Sequence, residues 1–228
     1  MPELKDCDTL SSPWICAGDD YCWDGVLPYG SSRKYRKKDI IIAAGQTLDA
    51  LAYLKSGFIK TVFQVEGGQE KIIWFMEAGC VLGETPLLNN KPCAYYFRAV
   101  QDCQIYWFSK AVLFDVILEK HPKLTKSLLT IMARKVHVLS TQLEDQVFRK
   151  PVFRVAKLIY QYYRGRKETG QRDYPPLPVS QEDIANLLGL HRVTVNQILQ
   201  TMRSGGILEN HTHRIIVRDL GLLEKLAN

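Results

Sequence analysis

The apolar positions of this 228-residue chain follow two rhythms, and the change between them divides it. From residue 30 to 108 they come as short runs rich in β-branched and aromatic residues: Asp39-Ile-Ile-Ile-Ala-Ala44, Ala50-Leu-Ala-Tyr-Leu54, Phe58-Ile-Lys-Thr-Val-Phe-Gln-Val65, Lys71-Ile-Ile-Trp-Phe-Met76 and Tyr95-Tyr-Phe-Arg-Ala-Val100. Breaks at Gly45-Gln46, Ser56-Gly57, Gly67-Gly68 and Gly79 separate them. Runs so short and so regularly punctuated predict an antiparallel β-roll.

From about Pro122 to Val147 the rhythm becomes helical. Leu129, Met132, Val136, Leu139, Leu143 and Val147 recur at intervals of three and four and draw a narrow apolar seam along one face, as in a coiled coil. Such a seam is most economically buried against its own copy, which predicts a symmetric homodimer; the competing expectation is that it packs on the β-roll of the same chain. Arg149-Lys150-Pro151 interrupts the helix, because the residue before proline is pushed out of helical geometry, and a hinge is expected there. A further helix is expected at about Val152–Arg164, followed by a polar segment over 165–178.

Beyond it, Ser180 stands where an N-cap belongs, with Asp183 placed to return its hydrogen bond. Ile184, Ala185, Leu187 and Leu188 mark the buried face of one short helix, Gly189 can turn the chain left-handed, and Val193, Val195, Ile198, Leu199 and Met202 resume a helical pattern. Ala185 is small where two helices would cross, and Val195 and Ile198 are expected to fill the gap. The pair reads as a helix-turn-helix, against the plainer alternative of a helical hairpin packed on a core. Gly205-Gly206, Ile207-Leu208-Glu209, the turn at 210–213 and Arg214-Ile-Ile-Val217 then suggest a hairpin wing. The overall class is α+β: an N-terminal extension over 1–29, a β-roll over 30–120, a central helix over 121–148 and a winged helix over 149–228.

Charge sharpens this reading. Residues 149–228 hold thirteen Lys and Arg against seven Asp and Glu, whereas residues 1–148 hold seventeen of each, so the whole net charge of +6 lies with the helix-turn-helix. Neutralisation of phosphates supplies most sequence-independent affinity for DNA, and this asymmetry is its expected footprint. No apolar stretch is long enough to span a membrane, and Met1-Pro-Glu-Leu-Lys-Asp6 lacks the blocks of a secretory signal; a cytoplasmic protein with no membrane partner is expected. Its six cysteines are then expected to be thiols, ligands or redox switches and not a disulfide framework.

The order of parts, the Gly45-Gln46 turn, Tyr53-Leu-Lys-Ser-Gly57, Val81-Leu-Gly-Glu84 and Arg192-Val-Thr-Val-Asn-Gln-Ile-Leu199 together resemble the CRP/FNR family of bacterial transcription regulators over residues 30–228. The resemblance implies an effector or redox sensor in the roll, dimerisation through the long helix, DNA binding regulated about the hinge, and RNA polymerase as a partner if the protein activates. In the cAMP-binding members an Arg-Ser pair follows the phosphate cassette. Cys93 and Ala94 stand at the matching positions, and neither replaces a guanidinium, so cAMP is not the expected effector. The iron-sulfur members carry an N-terminal cysteine cluster and a fourth cysteine on a late strand. Cys7, Cys16, Cys22 and Cys103 parallel these but lack the close Cys-x-x-Cys pair, which leaves a [4Fe–4S] cluster, a thiol switch and inert thiols open.

The recognition-helix sequence also resembles that of halophenol-responsive regulators in this family. Trp74, Phe75, Tyr95, Tyr96, Phe97, Tyr106 and Trp107 make the roll dense in aromatics, opposite a helix bearing Lys135. A small anionic aromatic effector is therefore expected between roll and helix, at Gly83, Glu84, Tyr95, Phe97, Met132 and Lys135, against the alternative that the rings are simply core.

At the DNA, Arg192 suits a bidentate contact to guanine or a phosphate, Asn196 and Gln197 suit adenine, and His191 and Thr194 lie at the same helix start. Family members often carry Glu and Arg where this chain has Val193 and Gln197; Val193 offers only apolar contact, so an A·T-rich palindrome is expected. Ser180, Gln181, His211, His213 and Arg214 are expected at phosphates. A cupin-like enzyme would need histidines on the barrel strands, and all five, at 121, 137, 191, 211 and 213, lie elsewhere; no Walker loop, GxSxG elbow or metalloprotease motif is present. No catalytic residue and no metal site are assigned.

Overall fold

The computed structural model describes residues 14–16, 23–64, 68–167, 177–209, 211 and 214–227. They fall into two compact units, one of Ile15–Leu139 and one that includes Ser140–Asn228.

Among the described residues the first unit holds nine strands in two sheets. A five-stranded sheet has the order β1 (Ile15–Cys16), β6 (Glu70–Glu77), β5 (Phe58–Gln64), β8 (Tyr96–Ala99) and β3 (Ile40–Ile42). A four-stranded sheet has the order β2 (Ser31–Tyr35), β9 (Cys103–Ser109), β4 (Ala50–Ser56) and β7 (Val81–Leu82). Pairing is antiparallel except for β1, which runs parallel to β6. All five expected strands are present.

Alternation along β4 shows how the layers stack. Ala52 and Leu54 point into the roll with Ile42, Ile59, Trp74 and Phe97, while Leu51 and Tyr53 point the other way, onto Trp23, Leu113, Ile117, Leu124, Leu128 and Ile131. Strand β4 is thus covered on both faces, which is why it reads as a nearly continuous apolar run. Its outer cover is a 3-10 turn (Trp23–Tyr29), a π-helical segment (Val112–Leu118) and the start of helix α2 (Pro122–Phe148). A short helix α1 (Glu84–Asn89) follows β7.

Two stripes run along α2. Leu124, Leu128, Ile131, Lys135 and Val138 are buried, whereas Leu129, Val136, Leu139, Leu143 and Val147 are 45 to 64 % exposed and Met132 is half-buried. The seam read from the sequence is therefore not the stripe that covers the roll, and the competing expectation of burial against the same chain does not hold for it.

In the second unit, α3 (Pro151–Lys167), α4 (Gln181–Leu188), α5 (Arg192–Ser204) and α6 (Leu220–Ala227) enclose Val155, Leu158, Ile159, Ile184, Leu188, Val195, Leu199 and Leu223. Helix α6, which no sequence expectation covered, is tied to α3 where the Tyr160 hydroxyl donates to Glu224. Among the described residues the hairpin is held by one bridge, Leu208 to Val217, with Glu209 N–H donating to Ile216 O at 2.9 Å. Turn residues 210, 212 and 213 of the expected wing, His213 among them, lie outside the described residues.

Gly57 closes the β4–β5 turn at φ +107°, and a Cβ there would stand 2.5 Å from Cys103 Sγ and 2.6 Å from Asp102 O. Gly57→Ala therefore lowers stability by more than ~1 kcal/mol, since the strained backbone and the clash add. Urea unfolding followed by tryptophan fluorescence reads the loss as a lower midpoint at unchanged slope.

Candidate nucleic-acid interface and effector pocket

The helix-turn-helix is assembled by local rules. Asp183 N–H donates to Ser180 Oγ at 3.0 Å and Ser180 N–H donates to Asp183 Oδ2 at 3.2 Å, a complete capping box that starts α4. Gly189 ends it at φ +61°, and Leu190 N–H closes onto Ala185 O at 3.0 Å. Ala185 is 3 % exposed, as a close helix crossing requires. Val195, Leu199 and Met202 fill the space behind α5, while Ile198, expected there, is only half-buried.

His191 caps α5 from an extended backbone without using its side chain. With Arg192, Val193 and Gln197 it is exposed, Val193 at 68 %, and Thr194 and Asn196 are half-exposed. Val193 thus sets one apolar side chain in solvent at the first turn of an otherwise polar helix face.

Ser180, Gln181, Arg192 and Asn196 converge on one cleft of about 380 Å³, completed by Val179, Glu182 and Ile215. Four of the eleven residues expected at DNA therefore share a concavity at the amino ends of α4 and α5, where free backbone N–H groups favour anions. Glu182 was not anticipated; its carboxylate opposes phosphate and can accept from a cytosine amino group. Arg214 is exposed but does not line this cleft.

In the first unit the expected effector residues are placed unequally. Gly83 adopts φ +83° ahead of α1, with Leu48 against the space a Cβ would need. Glu84 and Lys135 are 3 % and 7 % exposed and form a buried ion pair, Lys135 Nζ donating to Glu84 Oε1 at 2.7 Å and to Val81 O at 3.1 Å. Burial, the largest single influence, lowers the lysine's pKa, but the charge and hydrogen bond of Glu84, with Cys16 and Cys80 nearby, together outweigh it and hold the ammonium above its ordinary value. Lys135, expected to meet an anionic effector, is instead buried and already neutralised by Glu84. The atom left open is Glu84 Oε2, buried with no hydrogen-bond partner among the described residues.

The aromatic wall divides. Trp74 lies 5.9 Å from Lys135 Nζ, and Tyr95 packs edge-on to Phe97 at 5.4 Å with its phenol held up by burial, near Thr85, Glu84 and Lys135. Phe75 instead stacks on Phe58, and the Tyr96 hydroxyl donates to Glu70, which also pairs with Arg98. These two do not face Lys135. Phe97 belongs to the roll's core, and Met132 sits beside the exposed stripe.

Of the four cysteines weighed as cluster ligands, Cys7 and Cys22 lie outside the described residues. Cys16 is buried beside Cys80, whose thiol donates to Cys16 O at 2.9 Å, and burial pushes its pKa to about 11. Cys103 is on the other sheet, its thiol donating to Gln101 O at 3.0 Å and likewise raised by burial. In both, burial disfavours the thiolate that acts as nucleophile. Cys93, at the position of the family's arginine, donates to Tyr95 O at 3.0 Å and brings no cation to the cassette. Among the described residues no group of three His, Cys, Asp or Glu is placed to hold a metal, and no helix is long and apolar enough to cross a membrane.

Comparison with known proteins gives this geometry a family. Residues 32–120 match the cyclic nucleotide-binding domain and residues 153–226 the Crp-like helix-turn-helix domain. The chain is 23 % identical over 185 residues to the cAMP-activated global transcriptional regulator CRP of Pasteurella multocida, covering 81 % of this chain and 88 % of that one. Among solved structures it is similar to a CooA mutant from Carboxydothermus hydrogenoformans (TM-score 0.72, 21 % identity, 92 % and 93 % of the two chains). It is also similar to CprK complexed with OCPA (TM-score 0.68, 23 % identity, 89 % and 92 %). The two domains, in this order and on this fold, make the chain a member of the CRP/FNR family of transcription regulators.

Proposed function

We propose that this regulator binds DNA as a homodimer and reads an A·T-rich palindrome with α5, under the control of a small aromatic effector held between the roll and α2. The observation that carries the DNA reading is the convergence of Ser180, Gln181, Arg192 and Asn196 on one cleft beside the exposed Val193. Ser180 and Gln181 grip backbone, Arg192 and Asn196 reach base edges, and Val193 meets a thymine methyl. His191, Thr194, Gln197 and Arg214 supply flanking contacts.

Dimerisation is supported by the exposed stripe Leu129, Val136, Leu139, Leu143 and Val147. Five solvent-facing aliphatic residues at coiled-coil spacing on one helix call for a second, identical helix. Two copies then present two recognition helices about one DNA turn, roughly 34–36 Å, apart.

The effector site is the neighbourhood of Gly83, Glu84, Tyr95, Phe97, Met132 and Lys135. Among the described residues Glu84 Oε2 is an unsatisfied acceptor there and the Trp74 indole N–H an unsatisfied donor, so a hydroxyl on an aromatic ring, able both to donate and to accept, suits the site. The O–H donates to Glu84 Oε2; transfer of its proton to that oxygen leaves Glu84 neutral and the ligand oxygen anionic, so that Lys135 pairs with the ligand in place of Glu84. That exchange alters the bond between roll and α2, which is how occupancy would reach the DNA-binding unit. The matching of a cyclic nucleotide-binding domain does not extend to cAMP here, because Cys93 and Ala94 leave the cyclic phosphate without its cation.

Three measurements test this reading. In a mobility-shift titration Arg192→Ala loses about 1–3 kcal/mol of discrimination between the selected palindrome and random duplex; equal loss on both would assign Arg192 to the backbone alone. Leu143→Glu, placing a charge in the exposed stripe, gives a monomer by light scattering at micromolar concentration, and a wild-type monomer would refute the dimer. Calorimetry with halogenated phenols gives heat and a shifted DNA affinity, whereas cAMP gives neither; the reverse result would refute the effector class.

A further inference from the structure

We infer that Asp145, Lys157 and Arg154 form a buried clamp that fixes the helix-turn-helix to the last turns of α2, making them the residues that set the spacing between recognition helices. The inference deepens the dimeric DNA-binding reading and rests on it.

Only Arg149 and Lys150 interrupt the helices at the α2–α3 corner, where a hinge was expected from Pro151. The corner is nevertheless bridged. Asp145, four residues before it, is 1 % exposed, and both its oxygens accept from Lys157 Nζ, at 2.9 and 2.8 Å. Arg154, 6 % exposed, donates through Nη2 to Leu188 O at 2.9 Å, the carbonyl of the last residue of α4. Its guanidinium is desolvated and is held charged in part by the nearby Asp145. Phe153 fills the corner between the Arg149 guanidinium, 4.7 Å from its ring centre, and the Lys157 ammonium, 5.6 Å away. Backbone bonds continue the path, Arg149 N–H to Asp145 O at 3.1 Å and Arg154 N–H to Lys150 O at 3.2 Å.

A carboxylate this deeply buried is tolerable only while its cations stay in place. Rotating α3 about the corner would strand Asp145 without its partner, so the corner resists turning more than two non-helical residues would imply. Arg154 carries the constraint onward: it satisfies a carbonyl at the end of α4, where a helix leaves such groups open, one residue before the Gly189 turn into α5. Residues 140–148 accordingly group with the DNA-binding unit and not with the roll, the division falling between Leu139 and Ser140 inside α2. None of the three clamp residues lines the DNA cleft, so their effect on DNA is through position.

The test compares full-length wild type, Asp145→Asn and Lys157→Gln on three duplexes: the inverted repeat that wild type selects, the same repeat with one base pair added at its centre, and a single half-site. Wild type should prefer the first over the second. In both variants affinity for the first should fall roughly tenfold and the preference should shrink towards one, with half-site affinity unchanged. A purely stabilising role would lower all three affinities together. Retention of the spacing preference in the variants would overturn the clamp. A wild type indifferent to spacing would instead overturn the dimeric reading. If Asp145→Asn fails to bind even the half-site, Lys157→Gln, on the more exposed partner, decides by the same comparison.

Discussion

The buried contact between Lys135 and Glu84 fixes how α2 lies on the β-roll. Two charges withdrawn from water are stable only in one geometry, and here the ammonium meets Glu84 Oε1 and Val81 O together. That geometry sets the rotation of the helix about its own axis. With 3.6 residues per turn, placing Lys135 inward also turns Leu128, Ile131 and Val138 inward and sends Leu129, Val136 and Leu139 to solvent. The same helical period, carried on to residues 142 and 145, buries Gln142 and Asp145 and leaves Leu143 and Val147 exposed. One helix thus separates its duties by face: cover for the roll, a bare apolar stripe, and at its end a carboxylate for the α3 clamp.

What was legible in the sequence was whatever local chemistry decides. The capping box at Ser180 and Asp183, the left-handed Gly189 and the small Ala185 announce a helix-turn-helix within ten residues, and the structure reproduces each. Strands buried on both faces, such as β4 and β6, announce themselves by apolar density. Strand β2, Ser31–Tyr35, carries almost no apolar signal because it is largely solvent-facing, and β1 is only two residues held by β6. Neither has a pattern to read.

The candidate sites were legible in type and not in pairing. Lys135 and Glu84 were both singled out, yet they are 51 positions apart, and only the fold shows that each answers the other's charge. The consequence is chemical: the open valence is a carboxylate oxygen and not an ammonium. Ile198 and Leu199 are adjacent, and periodicity alone could not say which turns fully inward. Asp145 and Lys157, twelve residues apart across a proline, gave no motif at all, since their meeting depends on the angle of the α2–α3 corner.

These faces converge on one claim, that two copies joined along α2 present α5 twice to DNA. Sequencing the duplexes that the full-length protein retains from a random pool tests it most directly. Enrichment of an A·T-rich inverted repeat, with half-site centres one helical turn apart, is the result the account predicts. Enrichment of a lone half-site, or of no sequence at all, would contradict it.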